Sequence, residues 1–338
     1  MSLTGALERI WYAPEGANPS FVARSLALPE LAFRAAASAR NALYDRGALR
    51  PVRVDGPRVI SVGNLTVGGS GKTPAVIHLA NLLSAAGRRV FVLSRGYGRR
   101  STTAVAFRAS DAPSWKDAGD EPLLIARRCP AATLMVGADR AALAQEAARR
   151  GAEVILLDDG FQHRRLRRDL DILVVDASVG FGNGRLLPRG PLREPLSGLR
   201  RAGLIWLVES LNPGPRLSFD QPVVRVSVRP TALVGPSGDE EPLDALHGRE
   251  VIALAAIARP ERFAATLESI GARVVERRFL PDHAPLLPHH LETRAGALLV
   301  TTEKDAARLP AGALPAFRLR VDAQVTDGSS DLRAALGL

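Results

Sequence analysis

Short apolar runs alternate with longer amphipathic stretches along most of this chain. From residue 59 onward, runs rich in valine, isoleucine and leucine are separated by stretches whose apolar residues recur at helical spacing. The runs predict strands at 59–62, 90–93, 133–136, 154–157, 172–175 and 204–208, and the stretches predict helices at 75–86, 121–128 and 140–149. Such alternation is typical of βαβ units, so we expect an α/β fold with a mostly parallel sheet.

A proline- and glycine-rich connector at 210–222 interrupts this alternation. After it, the pattern predicts strands at 223–228, 251–255, 273–279, 297–301 and 316–321 and a helix at 261–270. We therefore expect a helical segment at 1–57, a larger α/β core at 58–215 and a smaller C-terminal α/β domain at 216–338. A chain of 338 residues with 46% apolar content is long enough to bury cores of this size.

The segment before residue 58 has a different pattern, a single long helical stripe. Its apolar residues recur at helical spacing from Leu28 to Leu43, Arg34 and Arg40 lie off the stripe, and an aromatic pair stands at 11–12. Two interpretations are open. The stripe packs against the core as an ordinary helix, or it forms an interfacial amphipathic helix that contacts a lipid surface.

Charge and cysteine content narrow the classes of partner and compartment. A net charge of +10 favours an anionic partner, which is a nucleic acid, a phospholipid or a phosphorylated substrate. A nucleic-acid binder is disfavoured because the chain has no binding motif with interleaved aromatic residues. The single cysteine, Cys129, excludes an internal disulfide and fits a structural role in a reducing cytosol. Without a transmembrane-length apolar run or a signal-peptide pattern, we expect the protein on the cytosolic side.

The stretch VISVGNLTVGGSGKT at 59–73 joins a predicted strand to a predicted helix through a glycine-rich loop. This order is the context of a phosphate-binding P-loop, whose backbone N–H groups surround phosphate oxygens. Thr66 stands where the consensus pattern has its first glycine, and the loop is closer to the glycine-doubled variant. We expect Lys72 to neutralise the outer phosphates and Thr73 to bind Mg²⁺. The predicted nucleotide-binding residues are Gly68, Gly69, Ser70, Gly71, Lys72 and Thr73.

Polar residues follow several predicted strands, where parallel α/β sheets bind their ligands. Asp158 and Asp159 come directly after a fully apolar strand. Two adjacent carboxylates need a cation to offset their repulsion, so we expect them to hold Mg²⁺. The loop at 94–100 carries Arg95 and Arg99, which suit an anionic ligand or form an exposed basic turn.

Further candidates lie in four other segments. Asp120 opens a helix, where it is either a helix cap or a catalytic carboxylate. The long connection at 182–195 mixes glycine, proline and arginine, and long connections tend to be functional. His283 follows an aspartate after a strand and is either structural or catalytically oriented. The segment TTEKD at 301–305 is similar to base-recognition loops and makes Lys304 a nucleotide-binding candidate.

The ordered set of segments GNLTVGGSGKTP, LSRGYGRR, GDEP, LLDDGFQH, FGNGRLLPRGPLREP, FLPDH and TTEKD resembles the tetraacyldisaccharide 4′-kinase family over nearly the whole chain. The resemblance implies a P-loop NTPase-type kinase that uses ATP and Mg²⁺ to phosphorylate the 4′-hydroxyl of a lipid disaccharide 1-phosphate. It implies a peripheral protein at the cytoplasmic face of the inner membrane, with no nucleic acid and no obligate protein partner. The rival interpretation is a P-loop GTPase or metallochaperone-type switch, in which TTEKD reads a guanine.

The resemblance also implies a role for each site residue. Lys72, Asp120 and His283 are catalytic, with Asp120 as the base and His283 as its partner. The implied metal ligands are Thr73, Asp158, Asp159 and Glu194. The implied substrate residues are Asn64, Arg95, Tyr97, Arg99, Glu121, Gln162, His163, Arg189 and Arg193. The N-terminal helix is then expected to dock beside the active site and to present its tip to the membrane.

Overall fold

The computed structural model describes residues 3–13, 21–210, 214–309 and 316–338. The chain divides into two compact units that alternate along the sequence. Unit 1 comprises Met1–Leu93, Asp139–Ser227 and Val325–Leu338, and unit 2 comprises Ser94–Ala138 and Val228–Gln324. The boundaries predicted at 57/58 and 215/216 divide the chain consecutively, and they differ from this interleaved arrangement.

Contacts between residues far apart in sequence explain the interleaving. In unit 2, the guanidinium of Arg128 forms ion pairs with Glu303 and Asp322. In unit 1, Arg58 donates a hydrogen bond to the carbonyl of Ala335 at 2.6 Å. Residues 94–138 therefore belong with the C-terminal region, and the last helix belongs with the larger core. The connector at 210–222, which was identified from its proline and glycine content, indicates neither of these two associations.

We number the helices and strands in chain order. The described strands are β1 (Arg58–Gly63), β2 (Val90–Ser94), β3 (Val105–Phe107), β4 (Thr133–Val136), β5 (Val154–Asp158), β6 (Leu170–Asp176), β7 (Leu204–Val208), β8 (Val223–Val234), β9 (Glu240–Glu241), β10 (Glu250–Ala255), β11 (Arg273–Phe279), β12 (Ala297–Thr302) and β13 (Ala316–Asp327). The described helices are α1 (Leu3–Trp11), α2 (Phe21–Ser25), α3 (Ala27–Asp45), α4 (Lys72–Ala85), α5 (Trp115–Ala118), α6 (Asp120–Arg128), α7 (Arg140–Arg149), α8 (Pro260–Ser269), α9 (Glu303–Ala306) and α10 (Ser329–Leu336). Every strand and helix predicted from the sequence is present, and β8 and β13 extend beyond their predicted ends.

Unit 1 is built on a parallel sheet with the strand order β8–β7–β6–β1–β5–β2. The central strand β1 pairs with β5 on one side and β6 on the other, so that Val62 lies opposite Asp158 and Ile172. All of β5 and nearly all of β1 are buried, as expected for a parallel sheet covered on both faces. The carboxyl ends of β1 and β5 therefore bring the glycine-rich loop and the two aspartates to one edge of the sheet.

Helix α3 docks on unit 1 through a face that differs from the predicted apolar stripe. Glu30 is buried, and Phe33, Ala37 and Asn41 are half-buried at helical spacing from it. Phe33 and Ala37 pack against the apolar core of unit 1. The leucines of the predicted stripe lie on the opposite side of α3 and are exposed: Leu28 (78%), Leu31 (61%) and Leu43 (46%). The stripe therefore does not pack as an ordinary core helix.

Trp11, the first residue of the aromatic pair near the start of the chain, has a structural role. Trp11 is buried, and its indole N–H donates to the carbonyl of Pro188 at 2.9 Å. It therefore anchors α1 to the connection at 182–195 and is not available as an exposed interfacial aromatic residue. Among the described residues, no helix has both the length and the apolar character needed to cross a membrane.

Unit 2 contains a parallel sheet with the order β11–β10–β12–β13 and an antiparallel pair of β3 and β4. Helix α8 buries Phe263 and Leu267 against the apolar side chains of this sheet. Strand β12 runs directly into α9, where the Thr302 hydroxyl accepts the backbone N–H of Asp305 as an N-cap. This local structure places Lys304 in the first turn of α9, and the chain turn at Gly119 places Asp120 at the start of α6.

Candidate active site

The glycine-rich loop of unit 1 is organised by Asn64, which follows β1. The side-chain NH₂ group of Asn64 donates to Ser70 Oγ at 2.8 Å and to Thr66 Oγ1 at 3.3 Å, and its side-chain oxygen Oδ1 accepts from Lys72 Nζ at 3.3 Å. Thr66, which departs from the consensus glycine, therefore supplies a hydrogen-bond acceptor inside the loop. Gly71 caps α4 with a φ of +83°, a backbone conformation that glycine adopts without steric cost. The side chain of Asn64 thus connects three residues of the loop, and its predicted contact with substrate stays a prediction.

The two aspartates after β5 lie in different environments. Asp158 is the last residue of β5 and is buried. Asp159 has a φ of +49°, and its carboxylate lies 3.7 Å from Lys72 Nζ and 2.7 Å from Arg193 Nη1. Burial raises the pKa of Asp159, but the charges of Lys72, Arg193 and Arg140 outweigh burial and hold the pKa below its ordinary value. Asp159 is therefore ionised at neutral pH.

The connection at 182–195 runs beside the glycine-rich loop. The backbone N–H of Arg193 donates to Leu65 O at 2.7 Å, and Val67 N–H donates to Pro191 O at 2.9 Å. These main-chain bonds hold the Arg193 side chain next to Asp159. The connection at 182–195 therefore lies directly against the glycine-rich loop of unit 1.

Glu194 has a different environment from that of a metal ligand. One of its carboxylate oxygens accepts from Gln162 at 3.0 Å and Arg201 at 2.8 Å, and the other accepts from Asn41 at 2.7 Å. Glu194 is buried, and these donors engage both of its oxygens. This arrangement makes it a junction between α3 and the loops of unit 1 and does not support the implied metal role. Gln162 also donates to Asn64 O at 2.9 Å, which connects this junction to the glycine-rich loop.

His163 and Arg189 were implied substrate residues, and the structure gives each a structural environment. Burial and the charge of Arg140 lower the pKa of His163 to about 4, so this imidazole is neutral. Arg189 lies 3.5 Å from the buried carboxylate of Glu30, which also pairs with Arg34 at 2.8 Å. Arg189 thereby ties the connection at 182–195 to α3.

The predicted catalytic pair lies in unit 2. Asp120 is 3% exposed, its Oδ1 accepts the Glu121 backbone N–H at 2.9 Å, and its Oδ2 lies 3.0 Å from His283 Nδ1. Burial raises the pKa of Asp120, but the hydrogen bond from His283 and the charges of Lys304 and Arg308 outweigh burial, so the pKa lies below its ordinary value. Asp120 is therefore ionised at neutral pH, and the contacts with Glu121 and His283 hold its carboxylate in place.

His283 is held in a conformation that is uncommon for a side chain of its size. Its φ is +60°, and its backbone N–H donates to Ala256 O at 3.1 Å. In the described chain, His283 and Asp159 are the two non-glycine residues with positive φ. Such backbone strain costs on the order of 1–3 kcal/mol and clusters at functional sites. The hydrogen bond to Asp120 raises the pKa of His283, and burial opposes this effect.

Lys304, predicted to bind the nucleotide, has its own partners in unit 2. Its Nζ lies 3.1 Å from Glu121 Oε1, 3.2 Å from His283 Nε2 and 3.8 Å from Asp282 Oδ1. These contacts direct Lys304 to the Asp120–His283 pair and do not indicate base recognition. Glu121, an implied substrate residue, is one of the carboxylates that balance its charge.

The loop after β2 also belongs to unit 2, and its side chains differ in whether they are exposed to a ligand or used in contacts within the unit. Arg95 and Tyr97 are exposed, and the Tyr97 ring centroid lies 5.1 Å from that of His283. Arg99 donates to the carbonyls of Thr103 at 2.9 Å and Val136 at 3.4 Å, so it folds the loop. Arg95 and Tyr97 remain available to a ligand, whereas Arg99 is used structurally.

Several residues of these clusters were missed from the sequence. Glu30 and Asn41 are spaced by eleven residues, three helical turns, and their polar side chains on one face of an alanine-rich helix were the available signal. Arg140 donates to Asp159 O at 3.1 Å, and Arg201 contacts Glu194. Arg308 lies 3.8 Å from Asp120 Oδ2. These arginines had no distinguishing signal in a chain with only three lysines among 45 basic residues.

Comparisons with known proteins agree with the motifs. The family model for tetraacyldisaccharide-1-P 4′-kinase (LpxK) matches residues 22–337. The tetraacyldisaccharide 4′-kinase of Anaeromyxobacter sp. (strain K) is 48% identical, over 98% of this chain and 94% of that relative. The tetraacyldisaccharide 4′-kinase of Syntrophus aciditrophicus is 39% identical, over 96% of each chain. A crystal structure of LpxK from Aquifex aeolicus in complex with ATP matches with a TM-score of 0.82 and 34% identity, covering 94% of this chain and 99% of that one. The chain therefore belongs to the tetraacyldisaccharide 4′-kinase family.

Proposed function

We propose that this protein is an ATP-dependent kinase of lipid A biosynthesis that transfers the γ-phosphoryl group of ATP to the 4′-hydroxyl of a tetraacyldisaccharide 1-phosphate. The observation that carries the proposal is the cluster of Asn64, Lys72 and Asp159 at the start of α4, in a chain that matches the family over residues 22–337. A lysine at the N-terminus of a helix, after a glycine-rich loop, is suited to hold the β- and γ-phosphates. The relatives are named for this activity, and the Aquifex aeolicus structure contains ATP.

The nucleotide-binding role falls on the loop and the first turn of α4. A side chain built at Gly68 or Gly69 would meet no atom within 4 Å, so both positions border open space that a phosphate group can fill. The hydrogen bonds from Asn64 hold the loop in place before a ligand arrives, which lowers the entropic cost of binding. Arg193 adds a second positive charge beside Lys72 through their shared partner Asp159.

The residues around the loop also fit a magnesium ion. Mg²⁺ prefers oxygen ligands and takes only one or two carboxylates together with substrate phosphates, and when bound it neutralises phosphate charge. Asp158 and Asp159 offer such carboxylates, and Thr73 in the first turn of α4 offers a hydroxyl. Asp159 Oδ1 is buried without a hydrogen-bond partner among the described residues, and Lys72 Nζ lies 3.7 Å from it, so this oxygen faces positive charge and has lone pairs left for a metal ion.

The proton-accepting role falls on Asp120. Phosphoryl transfer requires the acceptor hydroxyl to lose a proton, and a positioned carboxylate that remains ionised at neutral pH can accept it. His283 orients Asp120 through the 3.0 Å contact. Arg95 and Tyr97 are exposed on the same unit, and we assign them to the phosphate and sugar of the acceptor lipid.

The acceptor carries acyl chains, so the enzyme must work at a lipid surface. Each CH₂ group withdrawn from an apolar phase costs about 0.8 kcal/mol, which makes extraction of a whole lipid into water unfavourable. Leu28 and Leu31 of α3 and Phe21 of the preceding α2 are exposed apolar side chains, which suit peripheral contact with a bilayer. We assign this contact to the cytoplasmic face of the inner membrane, where the net charge of +10 favours anionic lipid.

A direct assay tests the proposal. Purified protein is given ATP, Mg²⁺ and tetraacyldisaccharide 1-phosphate in mixed micelles, and the product is analysed for a second phosphate at the 4′ position. We expect lipid-dependent formation of the bisphosphorylated product. Hydrolysis of GTP in preference to ATP, without lipid phosphorylation, would instead support the switch-protein alternative.

A further inference from the structure

Lys304 is the only lysine that the structure brings to the Asp120–His283 pair in the described part of unit 2. Its ammonium group lies 3.2 Å from His283 Nε2 and 3.1 Å from Glu121 Oε1. Burial lowers the pKa of Lys304, but the carboxylates of Glu121, Asp120 and Asp282 outweigh burial and raise it above its ordinary value. Lys304 is therefore a charged residue in direct contact with the far side of the imidazole.

The chemistry of an ammonium group restricts what His283 can do. A lysine ammonium has three hydrogen-bond donors and no acceptor, so Nε2 can bond to it only through a lone pair. An imidazole whose Nε2 is an acceptor carries its proton on Nδ1. That proton points at Asp120 Oδ2, 3.0 Å away. Lys304, His283 and Asp120 thus form one directed hydrogen-bond chain.

The charges around His283 act in opposite directions. Together they raise the pKa of His283 above its ordinary value: the hydrogen bond to Asp120 and the charges of Asp120 and Asp282 raise the pKa, whereas burial and the charge of Lys304 oppose this rise. The Tyr97 ring packs against the imidazole, and Arg308 Nε lies 3.8 Å from Asp120 Oδ2, the oxygen that His283 also contacts. Of the groups in contact with the ring, Lys304 is the one whose charge disfavours imidazolium.

We propose that Lys304 is a positioning residue that opposes protonation of His283 and holds the proton of its neutral form on Nδ1, from which it is donated to Asp120. This inference rests on the proposed role of Asp120 as the general base. An imidazolium against Asp120 would stabilise the carboxylate further and make it a weaker base for the acceptor hydroxyl. Lys304 acts on Asp120 through the protonation and tautomer of His283, in addition to the direct effect of its own charge, which lowers the pKa of Asp120. It does not touch the reacting atoms.

A purely structural role for Lys304 predicts a different outcome. In that case the ammonium would only join Glu121 to Asp282, and its removal would lower stability without changing the titration of His283. The two roles are separated by measuring the protonation of His283 itself. This measurement needs neither ATP nor lipid, so its result is independent of whether the protein is a kinase.

The experiment is a pH titration of the His283 ring followed by NMR of the folded protein, with the signal assigned by its loss in His283→Gln. We compare wild type with Lys304→Met and with Lys304→Gln, which keeps a polar side chain if the methionine variant folds poorly. Lys116→Met is the matched control, because Lys116 is exposed on α5 of the same unit. We expect the pKa of His283 to rise in both Lys304 variants and to stay unchanged in the control. An unchanged His283 pKa in a folded Lys304 variant overturns the proposal.

Kinetics supply a second readout. In Lys304→Met, kcat should fall roughly tenfold on the acidic side of neutrality, and the loss should shrink as the pH rises above the pKa of His283. Lys304→Arg keeps a permanent charge and should restore much of the wild-type profile. A loss of equal size at every pH, with the same profile shape, would assign Lys304 a structural role and contradict the proposal.

Discussion

His283 Nδ1 lies 3.0 Å from Asp120 Oδ2, although the two residues are separated by 163 positions in the chain. The contact joins the loop after β11 to the first residue of α6, both in unit 2. His283 makes this contact from a backbone conformation with a φ of +60°. This relationship makes the proposed roles of both side chains testable by single substitutions.

Replacing Asp120 by asparagine separates catalysis from helix capping. Asparagine caps helices about as well as aspartate, so the variant should fold normally. It cannot accept a proton, and kcat should fall roughly 10²–10⁴-fold with little change in ATP binding. Steady-state kinetics and ATP titration measure the two effects. Asp331→Asn, at an exposed position in the first turn of α10, is the control. A nearly unchanged kcat in Asp120→Asn would reduce Asp120 to a cap.

Lys72→Ala tests the phosphate-binding role of the glycine-rich loop. Lys72 lies 3.7 Å from the Asp159 carboxylate, and its loss removes a preorganised charge from the transferring group. We expect phosphoryl transfer to fall on the order of a hundredfold or more, in a protein that keeps its fold. Lys116→Ala provides the matched control for loss of a lysine. Near wild-type turnover by a folded Lys72→Ala protein would contradict the assignment of this loop.

The pH dependence of stability tests the environment of His163. Its pKa is lowered from 6.5 to about 4 in the folded state, chiefly by burial. Between these two values the unfolded state binds more protons than the folded state, so stability is complete above pH 6.5 and falls as the pH drops toward 4. In His163→Gln, this part of the acid destabilisation should disappear. Urea unfolding between pH 7.5 and 5 measures the difference, and parallel curves for the two proteins would contradict the predicted environment.

The docking of α3 depends on Glu30. Its buried carboxylate pairs with Arg34 and Arg189 and accepts the Leu186 backbone N–H at 3.3 Å. Glu30→Ala leaves these donors without their acceptor and should lower the free energy of unfolding by about 2 kcal/mol, since the arginines are partly exposed to water. Thermal unfolding and proteolysis of the N-terminal segment report the change. Glu8 is not buried, and Glu8→Ala should leave both readouts unaltered.

Individual strands and helices could be predicted from the sequence more readily than the contacts that join distant parts of the chain. Strands such as β1 and β5 were predictable because fully buried parallel strands are continuous apolar runs. The position of Asp158–Asp159 followed from the rule that ligands bind at strand ends. The interleaving of the two units was not predictable, because it depends on contacts such as Arg128 with Glu303 that no local pattern encodes.

Some side chains have partners in the structure that their motifs did not indicate. Glu194 follows Arg193 in a motif that implied metal binding, yet Asn41, Gln162 and Arg201 engage its carboxylate. Lys304 was placed with the nucleotide because of its motif, whereas its ammonium contacts His283. A carboxylate or an ammonium can satisfy several chemistries, and only the three-dimensional arrangement selects one.

The exposed leucines of α3 give the last prediction, which concerns membrane contact. Leu28 and Leu31 are 78% and 61% exposed on the side of the helix opposite its docking face, so their replacement should not disturb the fold. Each leucine buried in a bilayer interface contributes roughly 1–3 kcal/mol, and Leu28→Ser combined with Leu31→Ser should weaken binding to anionic vesicles at least tenfold. Activity on the lipid should fall in parallel, while ATP binding should be unchanged. Leu196→Ser, at a 37% exposed leucine elsewhere in unit 1, is the control. Equal vesicle binding by wild type and the double variant in a sedimentation assay would show that the membrane contact lies elsewhere.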